Sequence, residues 1–173
     1  MSKTPNVQVL FKEKEIEFPI GYYFRVSAVH VLKQIAATDI AEVNLNTHPP
    51  SLVYQQKEVI FIPSEVKTEL KEFATRNEIP IRDRHDIWED LCRPFLDTQF
   101  KPADEATWDK VLTENGVSEL EMREIRKKIK KTMRRNSIAW EWQYLGLFDY
   151  LDWTKLTNEK YRWAMEIALR NFS

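Results

Sequence analysis

Ile40-Ala41-Glu42-Val43-Asn44-Leu45, Leu52-Val53-Tyr54 and Val59-Ile60-Phe61-Ile62 are three apolar, largely β-branched runs, separated by Thr47-His48-Pro49-Pro50 and closed by Pro63. Short β-branched and aromatic runs bounded by proline and polar turn residues read as strands. Closely spaced strands with short connections pair antiparallel, so this stretch predicts a small sheet.

Toward the N-terminus, Val7 to Phe11 and Ile16 to Phe18 read as shorter strands, and Pro19 and Gly21 then break the chain. Tyr22 to Ala37 carries two periods at once. Tyr22, Phe24, Val26 and Ala28 alternate as in a strand, whereas Ala28, Val31, Leu32 and Ile35 fit one helix face. A strand running into a helix from about Ser27 accommodates both.

Toward the C-terminus the punctuation changes. All eight prolines lie between Pro5 and Pro102, and from Ala103 onward the only glycines are Gly116 and Gly146. A stretch without proline can stay helical. Ser64 is placed to cap a helix carrying Val66, Leu70, Phe73 and Ala74, and Asp83 one carrying Ile87, Trp88 and Leu91 that ends or kinks at Pro94. Phe100-Lys101-Pro102-Ala103 reads as a turn. Trp108, Val111 and Leu112 mark a helix stopped near Asn115-Gly116, and Ser118 with Glu121 is a capping-box pattern heading a long helix. Trp140 to Phe148 is apolar nearly all round and reads as a buried central helix. Tyr161, Ala164, Met165, Ala168, Leu169 and Phe172 stripe the last helix. The fold class is therefore α+β: a small N-terminal antiparallel sheet with a C-terminal helical bundle of about five helices. The expected organisation is one domain over 1–173, with a β-rich part and one helix over 1–63 and a helical part over 64–173.

The chain of 173 residues is 43% apolar, which suffices for a core, and its 26 Lys plus Arg nearly balance 27 Asp plus Glu. No global charge draws it to nucleic acid or an anionic membrane, so any such pull is local. Cys92 is the one cysteine, which excludes an internal disulfide and suits a reducing compartment. The polar opening Met1 to Asn6 shows no signal peptide and no apolar run is long enough to span a bilayer, so the expected location is cytoplasmic, with no membrane as partner.

The most distinctive local feature is basic. Arg123, Arg126, Lys127, Lys128, Lys130, Lys131, Arg134 and Arg135 surround the single acid Glu124, while Met122, Ile125, Ile129 and Met133 form one narrow apolar stripe. Such a helix docks by its seam and turns a broad cationic face outward. Trp163 and Ile167 lie off the main stripe of the last helix, as a second packing contact or as apolar anchors for a partner. The expected partner-binding set is Arg123, Arg126, Lys127, Lys130, Lys131, Arg134, Trp163 and Ile167. Internal pairing of the basic helix with Glu141, Asp149 and Asp152 is the competing reading.

Two other constellations bear on chemistry. His85 and Glu89 are one helical turn apart, and with Asp86 and Asp149 they are the material for a metal-dependent hydrolase, although a metal site needs about three or four ligands. His85 is about 10 Å along the axis from Cys92, too far for a nucleophile–base pair, and Cys92 reads as a small apolar residue beside Trp88 and Leu91. With three glycines in all, there is no phosphate-binding loop and no dinucleotide fingerprint, and no Gly-x-Ser-x-Gly elbow is present. The reading is thus a non-enzymatic interaction or regulatory protein that binds an acidic protein partner through its basic helix, without a cofactor. Nucleic-acid binding by the same cations is the first alternative, the metal-dependent hydrolase the second. A homodimer formed across an open sheet edge is compatible with each.

Overall fold

The computed structural model describes residues 5–96, 102–137 and 144–172. The fold is α+β: among these residues there are two three-stranded antiparallel sheets and seven α-helices, most of them C-terminal. The chain forms two compact units. The first holds the residues up to Arg84 with Thr157–Tyr161, the second His85–Leu156 with Arg162–Ser173.

In the first unit, β1 (Leu10–Phe11), β2 (Glu15–Glu17) and β3 (Gln34–Ala36) form one antiparallel sheet in chain order, with Ile16 opposite Ile35. β4 (Ile40–Asn44), β5 (Ser51–Tyr54) and β6 (Glu58–Phe61) form the second, also in chain order, with Val43 opposite Leu52 and Leu52 opposite Ile60. These are the three runs expected from their β-branched composition, and β5 is buried along its whole length because it is the central strand. The β4–β5 connection contains a cis His48–Pro49 peptide. On the outer side of β4 the chain returns once in parallel: Val43 N–H donates to the Pro80 carbonyl and Arg82 N–H to that of Val43, both at 2.9 Å.

Tyr22–Val26 is not a strand. Tyr22 and Phe24 are buried by packing edge-on, Phe18 on Tyr22 and Tyr22 on Phe24, and Phe61 N–H donates to the Tyr22 hydroxyl at 2.9 Å. Alternation in this stretch served aromatic packing, not a ladder. The helix begins where expected, with Ser27 capping α1 (Ala28–Leu32), but it ends at Lys33 in a left-handed conformation, and Ile35 turns back to pair in β3. α2 (Lys67–Arg76) buries Leu70, Phe73 and Ala74. Its entry is a 3-10 turn over Ser64–Val66, and Ser64 does not cap it.

In the second unit, α3 (Ile87–Cys92) is capped by Asp86, not Asp83: the Asp86 carboxylate accepts from Trp88 N–H at 3.0 Å. A 3-10 turn over Arg93–Phe95 holds Pro94. α4 (Pro102–Glu114) starts on Pro102, a position where the missing N–H costs no bond, so Pro102 opens a helix and is not part of a turn; Phe100 and Lys101 lie outside the described residues. α5 (Glu119–Ser137) starts at the expected capping box, with Ser118 N–H donating to Glu121 at 3.1 Å and Glu121 N–H to the Ser118 hydroxyl at 3.4 Å. The expected central helix over Trp140–Phe148 is not continuous. Trp140–Gln143 lie outside the described residues, Tyr144–Gly146 are not helical, and α6 (Leu147–Trp153) begins only after Gly146. α7 (Asn158–Ala168) closes the chain. The core of this unit centres on Trp88, whose ring stacks on Tyr150 at 4.8 Å and whose indole N–H donates to the Ala164 carbonyl at 3.1 Å.

Phe73 is fully buried, its ring 5.8 Å from that of Phe11. Phe73→Ala is expected to cost about 3–5 kcal/mol, read as a lowered urea midpoint with an unchanged slope.

Candidate functional site

α5 buries Met122, Ile125, Ile129 and Met133, the stripe that the sequence placed on one side. At about 100° per residue, Arg123, Lys127, Lys130, Lys131 and Arg134 fall within an arc of about 100° on the side away from that stripe. All five are exposed. Arg123 makes a loose 3.5 Å contact with Glu119, one turn earlier. Lys127, Lys130, Lys131 and Arg135 make no ion pair among the described residues. Along the axis, Arg123 to Arg134 spans about 16 Å.

Three members of the expected set do not belong to this face. Arg126 sits at the margin of the apolar stripe and turns inward. Its guanidinium donates to Asp109 of α4 at 2.9 Å and to the Asp90 carbonyl of α3 at 3.2 Å, and only 15% of the side chain is exposed. Ile167 is 1% exposed and is core, not an anchor. Trp163 is half-buried, edge-on to Trp88 and Tyr150, and the Lys128 ammonium lies 3.9 Å from its ring centre. The second packing contact is therefore what these two residues supply, because α7 touches neighbours on two sides. Sequence reading missed Leu120, which is 67% exposed on the same arc as the cations, because an isolated leucine beside a capping box gives no signal.

The competing internal pairing divides similarly. Asp149 is buried and its carboxylate accepts from Gly146 N–H at 3.0 Å, which caps α6. Asp152 is exposed, and Glu141 lies outside the described residues.

His85 and its neighbours form the second cluster. His85 Nε2–H donates to Asp90 at 2.6 Å, and Arg93 donates to Asp90 at 2.7 Å and to Glu89 at 2.9 Å. The Tyr144 hydroxyl donates to Asp86 at 2.6 Å. Gly146 sits so close that an added Cβ would lie 3.1 Å from both members of that bond. His85 thus pairs with Asp90, while Asp86 accepts from Trp88 N–H and the Tyr144 hydroxyl, Glu89 from Arg93 on one oxygen, and Asp149 from Gly146 N–H on one oxygen. No group of three or more His, Cys, Asp or Glu among the described residues is placed to hold a metal ion.

The electrostatics follow from these contacts. The hydrogen bond to Asp90 raises the His85 pKa despite partial burial. Burial opposes the Asp90 charge, but the bonds from His85 and Arg93 outweigh it and hold the carboxyl below its usual range. Burial, with Asp86 and Asp90 nearby, pushes Glu89 up. Burial, then Asp149 and Asp86, push the Cys92 thiol well above its usual value, away from the thiolate that nucleophilic chemistry uses.

No protein-family model, curated protein or solved structure matches this chain. Among the described residues, no helix is long and apolar enough to cross a membrane.

Arg126→Ala removes a largely buried fork and is expected to destabilise by about 2–3 kcal/mol, whereas Lys130→Ala stays within about 0.5 kcal/mol, both by chemical denaturation. For the His85–Asp90 pair, the raised His85 pKa gives stability that is full below about pH 6.5 and lost as pH rises through the folded value. The depressed Asp90 pKa gives stability present above about pH 4 and lost as pH falls through its folded value. The stability difference between the native chain and His85→Gln is therefore expected to peak between about pH 4 and 6.5 and to shrink toward pH 9. A flat difference across that range would show that the pair carries no charge.

Proposed function

We propose that this protein is a non-enzymatic interaction or regulatory protein that docks an acidic protein surface on the exposed face of α5. One observation carries the reading: Arg123, Lys127, Lys130, Lys131 and Arg134 share one outward arc, and three of them (Lys127, Lys130 and Lys131) make no ion pair among the described residues. Like charges held side by side repel one another, and a complementary partner relieves that repulsion. The docking set is thus Arg123, Lys127, Lys130, Lys131 and Arg134, without Arg126, Trp163 and Ile167. A reducing, cytoplasmic setting suits the one buried thiol.

Nucleic acid is the other polyanion to test against. The arc presents no aromatic side chain among its cations, and stacking platforms normally accompany single-strand binding, so a protein surface is favoured.

The test is affinity capture from host lysate at low salt, with and without nuclease, using the native chain and K127E/K130E/K131E/R134E. A stoichiometric protein that survives nuclease and is lost on the variant is the expected result, with the variant's Tm within a few degrees because all four positions are exposed. Capture is expected to weaken toward 1 M salt, where the screening length falls to about 3 Å. Unchanged capture by the folded variant removes the reading, and co-purifying nucleic acid with all protein lost on digestion replaces it with the alternative.

A further inference from the structure

Beyond its last ladder bond, Phe18 N–H to the Lys33 carbonyl at 2.8 Å, the β2–β3 connection carries a tip formed by Pro19, Ile20 and α1. Ile20 is 69% exposed, Val31 77% and Leu32 53%. Three large aliphatics this exposed within one tip are unlike the single exposed leucines that any surface carries.

Their exposure is enforced. Ser27 caps α1, and Glu58 holds that end, accepting from the Ser27 hydroxyl at 2.6 Å, the Tyr161 hydroxyl at 2.9 Å and Ala28 N–H at 3.3 Å. Val29 is the fully buried residue of α1, which fixes Val31 and Leu32 outward. His30 Nδ1–H donates to the Tyr22 carbonyl at 2.5 Å. Gly21 has φ +91°, and an added Cβ there would lie 2.9 Å from the His30 ring. The backbone at Gly21, next to Ile20, therefore runs close against His30 of α1.

The charge carried by the tip segment itself has one sign, and Glu58, the acid at the foot of α1, is engaged by Ser27, Ala28 N–H and Tyr161. Residues 18–38 contain no Asp or Glu, while Arg25 and Lys33 are exposed and make no ion pair among the described residues. A second copy of the same tip would bring these like charges together. An occupant that is apolar beneath and negative at its surface satisfies both features.

We infer that this tip docks on an anionic phospholipid surface, with Ile20, Val31 and Leu32 entering the headgroup–acyl boundary and Arg25 and Lys33 resting among the headgroups. Apolar insertion and cationic attraction act together in such docking, and neither suffices alone at this size. The inference is independent of α5, which lies in the other unit.

The test is sedimentation of the full chain with phosphatidylcholine vesicles, with and without about 30% phosphatidylserine. The native chain is expected to bind the anionic vesicles at least about tenfold more tightly than the neutral ones, and I20S/V31S/L32S to lose at least about tenfold on the anionic vesicles. R25E/K33E, which leaves the aliphatics in place, is expected to lose the preference for phosphatidylserine. K127E/K130E/K131E/R134E separates the two surfaces: if it abolishes vesicle binding while I20S/V31S/L32S retains it, the cations of α5 are responsible and the inference is overturned. Absence of binding by the native chain, or a loss below about tenfold in the folded tip variant, also overturns it.

Discussion

Arg126 joins three helices at one point. From α5 its guanidinium reaches a carboxylate on α4 and a backbone carbonyl at Asp90 on α3. Asp90 is itself 2% exposed and spends its side chain on His85 and Arg93. A buried carboxylate is tolerable only when it is bonded on both oxygens, and a buried guanidinium only when it faces an anion or carbonyls. Asp90 meets its condition through His85 and Arg93, which flank α3, and Arg126 through Asp109 and the Asp90 carbonyl, with its Nε left without a hydrogen-bond partner among the described residues. The cost of withdrawing one cation from water is offset locally, and α5 is thereby fixed in rotation. Once that rotation is set, Met122, Ile125, Ile129 and Met133 lie inside, and Arg123, Lys127, Lys130, Lys131 and Arg134 lie outside. The outward charge is thus a consequence of the inward one.

The sequence was legible where a single physical signal dominated. The β-branched runs from Ile40 to Ile62 gave the second sheet, the Ser118–Glu121 box gave the head of α5, and the 3.6-residue period gave its buried stripe. It was not legible where several signals coincide. Tyr22, Phe24 and Val26 alternate as strand residues do, yet two of them are buried by edge-on aromatic packing, which has no sequence period. Asp83 and Asp86 are equally good caps by composition, and only the Asp86–Trp88 bond and the Tyr144 hydroxyl distinguish them. Arg126 reads in sequence as one of eight equivalent cations. Its difference lies in partners 17 and 36 residues away, which no local pattern encodes.

The same limit applies to the last helix. Trp163 and Ile167 lie off the main stripe, and a position off one stripe is either a second buried face or an exposed anchor. The choice depends on whether another helix arrives there. Trp88 and Tyr150 arrive, and Lys128 closes over the indole. Lys128 thereby leaves the outward set as well, although its charge remains at the edge of it.

Near-neutral overall charge conceals how unevenly the charges are distributed. Residues 18–38 and 125–140 contain none of the 27 acidic residues, and each stretch lies in a different unit. The two differ in kind. In 18–38 the cations are two and the exposed side chains between them are aliphatic, so area and charge act together on the same patch. In 125–140 the apolar residues described are buried, and the exposed face is almost purely ionic. Salt weakens the whole of an ionic face, because that face gains little from displacing water, whereas at the tip it screens the cationic contribution and leaves the aliphatic one. Salt dependence therefore separates the two surfaces on one molecule, and it does so without knowledge of what either one binds.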